Sequence, residues 1–268
     1  MEKDNDSKFR LKNELLKLLK IIRGLDRKVL VIFLSVAVLQ TVSWYFTSRR
    51  FFRANLLGDF QYHEQVYLIE YLYWFIGDLF SFFIAPVLII KIVLKEKVKD
   101  YGLAFGDYKT GLKITAIFLL IMLPLVWIAS SLPEFSKTYP HLPAAKTNWE
   151  IFLIFEAGML LYMFAWEFIW RGFMLFGLEA KFGYYSVLIQ MIPFLILHNG
   201  KPVPETFGSI IAGIALGILA LRTRSFLYCV IAHMSVIFSI DLISSLRFRA
   251  DDYGIGINSV LKILSTIF

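Results

Sequence analysis

The feature that most limits the fold of this 268-residue chain is a succession of apolar windows, at 29–48, 66–94, 111–132, 150–178, 183–199, 207–222, 225–246 and 255–268. An apolar helix of about 20 residues covers the roughly 30 Å hydrocarbon layer of a bilayer. In lipid every backbone polar group needs an internal partner, so only helices and closed barrels span, and barrel strands are about half this length. The sequence therefore predicts an all-α, polytopic membrane helix bundle of about eight transmembrane helices. Two windows, 207–222 and 255–268, are short, and the link Arg222-Thr-Arg-Ser225 is tight. A seven-span arrangement thus stays open. A hydrophobic content of 58% and a mean hydropathy of +0.65 exceed what one soluble core can use.

The net charge of +7 is distributed in a way that excludes nucleic acid as a partner, because the basic residues sit in a tail and in loops beside apolar spans rather than on a soluble folded face. Membrane lipids account for them. Between Lys8 and Lys28, Leu11, Leu15, Leu16, Leu18, Leu19, Ile21 and Ile22 alternate with Lys12, Lys17, Lys20 and Arg23, the pattern of a basic amphipathic helix on a membrane surface. Residues 1–28 read as a basic amphipathic cytoplasmic tail and 29–268 as the membrane-embedded bundle. The first 28 residues hold no apolar stretch before a small-residue cleavage site, so no cleavable signal peptide is expected. With eight spans, the tail and the even loops carry most of the Lys and Arg, which places both termini in the cytoplasm. The longest non-cytoplasmic connection is 131–148, with Pro133, Pro140 and Pro143. The single cysteine, Cys229, lies in an apolar run, where packing is its expected role.

Ionisable side chains inside apolar spans are the anomaly that points to function. A charge at the bilayer centre costs roughly 2.5–3.5 kcal/mol on insertion scales, so such residues face a bundle interior or a water-filled cavity. Glu167 and Arg171 are four residues apart and share a helix face, and Gly172 is expected to admit a neighbouring helix. On this stretch alone a structural salt bridge and a functional site are equally good readings. His198 ends an apolar helix before Asn-Gly-Lys-Pro, and His233 lies well inside its own span. Each histidine alone reads as a cap or a packed core residue. Together the odds change: two of only four histidines lie at membrane depth, and a rise of about 1.5 Å per residue sets Glu167 about 20 Å and His198 about 25 Å above their shared turn. One carboxylate and two imidazoles either activate water by acid–base steps or hold zinc through Glu167, His198 and His233 with an open fourth position. Both routes lead to hydrolysis. No zincin helix, serine-hydrolase elbow or phosphate loop is present.

The sequences Glu167-Phe-Ile-Trp-Arg171, Phe194-Leu-Ile-Leu-His198 and His233 resemble the motifs of the CPBP family, the CAAX-protease-like and Abi group of intramembrane proteases. The resemblance covers about 150–245. That family shows Glu-Glu-x-x-x-Arg, then Phe-x-x-x-His, then His-x-x-x-Asn. Here Trp166 stands at the first glutamate and Ile237 at the asparagine, and the downstream text resembles a bacterial branch carrying Trp-Glu-Phe. The resemblance implies an intramembrane endopeptidase of the glutamic or metallo type in a bacterial plasma membrane, acting on a membrane-associated peptide or protein. It makes Glu167 the base or a zinc ligand, with His198 and His233 holding water and oxyanion and Arg171 orienting Glu167. Glu205 and Asp241 are cavity candidates, and Glu156 is expected to line the same cavity. Glu70 and Asp78 read as acids paired with basic residues. The competing class is a catalytically impaired family member serving as an immunity or membrane scaffold protein. A transporter is a weaker third reading, since inverted repeats are missing.

Overall fold

The computed structural model describes residues 2–265, with side chains described from residue 12. It is helical, with no strand among the described residues. Helix α1 (Glu2–Arg23) is the basic amphipathic segment; Leu15, Leu16, Leu18, Leu19, Ile21 and Ile22 are exposed along it. Gly24 and Leu25 break it, and Asp26 caps the next helix by accepting from the Val29 amide. Among the described residues six helices are long and apolar enough to span: α2 (Arg27–Asn55), α3 (Val66–Leu94), α4 (Tyr108–Ala129), α6 (Trp149–Phe182), α8 (Val203–Thr223) and α9 (Leu227–Ala250). A short α5 (Pro133–Thr138) lies in the 131–148 connection. Helix α7 (Tyr185–Ile196) is apolar but has 12 residues, and α10 (Ile257–Leu264) has 8.

The expected eight spans are therefore six long helices and one short one. Residues 203–223 form a full-length helix, so the window that looked marginal is secure, whereas 183–199 and 255–268 do not yield full spans. At a rise of about 1.5 Å per residue α10 is about 12 Å long, far less than the hydrocarbon thickness. Its position follows from local chemistry: Trp127 Nε1 donates to the Ile255 carbonyl, and the Arg247 guanidinium, fully buried, donates to the carbonyls of Asp252 and Gly254.

Polar contacts sort the helix ends into two faces. On one face Lys28 meets Glu96 at 2.7 Å, Arg222 meets Asp107 at 3.1 Å, and Arg224 meets Glu179 at 2.7 Å. On the other, Arg49 and Arg53 bind Glu70 at 2.6 and 2.9 Å, the Tyr71 hydroxyl donates to the His141 carbonyl, and Arg249 donates to the Lys146 carbonyl. Because Arg247 and Asp252 tie α10 to the second face, the last described residues lie opposite Lys28 rather than beside it.

Helix α6, at 34 residues, is the central element and is two-thirds buried over its most apolar stretch. Helices α7 and α8 form a tight hairpin against it. The sequence Gly213-x-x-x-Gly217 makes that possible, since a Cβ on Gly213 would stand 2.8 Å from Met191 and one on Gly217 2.9 Å from Gln190 and Val187. Gln190 Nε2 uses the close approach to donate to the Gly213 carbonyl at 2.8 Å. Cys229 is buried and donates to the Leu216 carbonyl, a packing role as expected.

Candidate active site

Glu167 closes the regular part of α6, and Phe168–Met174 continues it as a π-helical stretch. Such wide turns inside an α-helix recur at functional sites. Both Glu167 and Arg171 are fully buried, and Arg171 Nη1 lies 3.1 Å from Glu167 Oε1. The guanidinium also stacks on the Phe194 ring, 4.0 Å from its centroid, which locks α6 to α7. At Gly172 the first obstacle to a Cβ is Phe168 of its own preceding turn, at 2.5 Å.

The carboxylate reaches across to α9. His233 Nδ1 lies 2.6 Å from Glu167 Oε1, with the ring N–H donating to the carboxylate. His198, in the turn after α7, donates from Nδ1 to the Phe194 carbonyl at 2.7 Å. In both rings Nδ1 is committed, and Nε2 is the nitrogen left for a reactant. The Phe194 ring neighbours both, 4.4 Å from His198 and 6.0 Å from His233, centroid to centroid. Glu167 Oε2 has no hydrogen-bond partner among the described residues.

His198 and His233 line one cavity of about 380 Å³. Glu167 does not reach its wall; it stands behind His233. The cavity runs to the face that carries Arg49 and the 131–148 connection, and its mouth is built from Arg49, Arg50, Tyr139, His141, Lys201 and Glu205. Glu205 accepts from the Tyr139 hydroxyl at 2.6 Å with Lys201 Nζ at 3.7 Å. Lys201 Nζ donates to His141 Nε2 at 2.6 Å. Burial, with help from Lys201 and Arg49, holds the His141 imidazole neutral by pulling its pKa down to about 3.

Asp241 and Glu156 belong elsewhere. Both are buried, neither lines the cavity, and the carboxyls of these two residues face one another between α6 and α9. Glu70 is paired with arginines as expected, but Asp78 is not: it accepts from Ser43, Thr47 and Trp74 and has no cationic partner among the described residues. Trp166, next to Glu167, lines the cavity and packs edge-on to His198 at 6.3 Å. Ile237 lines it one turn beyond His233.

The zinc alternative does not fit these donors. Among the described residues no three His, Cys, Asp or Glu side chains converge on a common point for a metal ion.

Fold and site together define an integral membrane helix bundle in which a buried carboxylate backs an imidazole at the wall of an internal cavity. Residues 147–238, the stretch carrying Glu167, His198 and His233, are similar to the family model described as Type II CAAX prenyl endopeptidase Rce1-like. Comparison with curated proteins and with solved structures gave no match.

Proposed function

We propose that this protein is an intramembrane endopeptidase that hydrolyses a peptide or protein segment with a water activated by His233 and Glu167. The observation that carries the reading is the 2.6 Å contact between Glu167 Oε1 and His233 Nδ1, with His198 lining the same cavity. In this arrangement Glu167 is a positioning residue, fixing the tautomer that leaves His233 Nε2 as a base, as the carboxylate of a hydrolytic triad does. Water donates one hydrogen bond to His233 Nε2 and one to His198 Nε2. His233 takes a proton as the water oxygen bonds to the scissile carbonyl carbon. The imidazolium, balanced by Glu167, then passes that proton to the leaving amine as the C–N bond breaks. Arg171 neutralises Glu167 where lipid and apolar side chains would otherwise penalise its charge.

Topology supports a particular orientation. The face bearing α1, Lys28, Lys95, Lys97, Lys99, Lys109, Lys181, Arg222 and Arg224 is the more basic one and therefore cytoplasmic, in a bacterial plasma membrane. The cavity mouth then opens on the opposite side, and substrate reaches the histidines from there.

The deciding experiment compares purified wild type with Glu167→Gln, His198→Ala and His233→Ala on a panel of membrane-soluble peptides, with and without a chelator. Cleavage by wild type alone, unaffected by the chelator, is expected. A wild-type protein that cleaves nothing while still capturing a membrane partner would favour the immunity or scaffold reading.

A further inference from the structure

On the cavity wall contributed by α2 and α3 lies a polar group that the hydrolytic site does not use. Asp78 is only 2% exposed and lines the cavity. Its Oδ1 accepts from Ser43 Oγ at 2.7 Å and Thr47 Oγ1 at 2.9 Å, and its Oδ2 from Trp74 Nε1 at 2.7 Å. Three neutral donors orient the carboxylate as an acceptor, and none of them cancels its charge. Gln40, one helical turn before Ser43, also lines the cavity, and its Oε1 is buried with no hydrogen-bond partner among the described residues. A buried acceptor left unmade is costly unless a donor arrives. The surrounding wall is aromatic, with Trp44, Trp74 and Tyr162. A carboxylate, an orphan amide oxygen and aromatic rings select a cation bearing N–H donors.

We infer that Gln40 and Asp78 form a specificity subsite for a lysine or arginine side chain of the substrate. The inference rests on the endopeptidase reading and extends it. From Trp74 the wall passes through Tyr162 and Trp166 to His198 in ring-to-ring steps of 4.7, 5.7 and 6.3 Å. An extended peptide, rising about 3.3 Å per residue, covers that path in roughly five residues at most, so the cationic side chain falls within that distance of the scissile bond. The subsite comes from helices outside the matched segment 147–238, the part of the chain free to set selectivity independently of the chemistry.

The test is binding rather than turnover. A fluorescent apolar decapeptide carrying one lysine, and the same peptide with norleucine in its place, are titrated by anisotropy against the full-length protein in nanodiscs. Wild type should bind the lysine peptide roughly tenfold or more tightly, the worth of one charge-assisted hydrogen bond. Asp78→Asn, which keeps an oxygen for Ser43 and Thr47, should lose that preference and leave the norleucine peptide unchanged. Gln40→Leu, on the other helix, should lower the preference as well and guards against a fold defect at Asp78. Equal binding of the two peptides by wild type, or an undiminished lysine preference in both variants, overturns the subsite. Lysine preference without any cleavage would overturn the peptidase reading and leave the subsite standing, whereas cleavage without lysine preference would do the reverse.

Discussion

Glu167 Oε1 lies 2.6 Å from His233 Nδ1, across 66 residues of sequence and between two different helices. Removing either member should disable the same unit. Glu167→Gln and His233→Ala are each expected to lower kcat by about 10²–10⁴, the range for a general base. The double variant should be little worse than His233→Ala, since groups acting as a unit are not additive. Single-turnover cleavage of a membrane peptide measures this, and fully additive losses would separate the two residues mechanistically.

Arg171 is expected to matter for stability before it matters for rate. Its guanidinium is the nearest cation to a fully buried Glu167, and breaking a buried ion pair by deleting one partner costs about 3–5 kcal/mol. Arg171→Met should therefore lower the thermal transition in detergent strongly. The paired replacement Glu167→Gln with Arg171→Met should recover much of the loss, because no charge is left stranded.

The mouth of the cavity should make stability depend on acidity. His141 is held neutral in the fold, with its pKa pulled from 6.5 to about 3 by burial first and by Lys201 and Arg49 second. Between those two values the unfolded chain binds a proton that the native protein refuses, so stability rises with pH through that window and is lost as pH falls from about 6.5 toward 3. Thermal scans across pH 4 to 7.5 should show the slope, and His141→Gln, which keeps an acceptor for Lys201, should flatten it.

The placement of α10 on the Arg49 face predicts a simple labelling result. Cysteines introduced at Arg23 and at Ser265 should react with an impermeant maleimide from opposite sides of the membrane, with buried Cys229 silent as the internal control. Labelling of both from one side would restore the eighth crossing.

Sequence alone went far here because lipid leaves a chain few options. Apolar length fixed the all-α class, and the insertion cost of charge singled out Glu167, Arg171, His198 and His233 before any contact was known. It took 183–199 and 255–268 for full spans and left 207–222, which is one, looking marginal, because window length does not say how a helix hairpin packs. That was decided by Gly213 and Gly217 drawing α8 against α7, and by Arg247 capturing the Asp252–Gly254 backbone so that α10 stays on one face. The same limit applied to Asp241, Glu156 and Asp78. Their spacing placed all three at membrane depth, but only the packing of α2, α3, α6 and α9 decided that Asp78 faces the cavity while Asp241 and Glu156 face each other. Hydrophobicity is a property of a segment and can be summed along the chain; which way a buried carboxylate points depends on the rotation of its helix against neighbours that no local window contains.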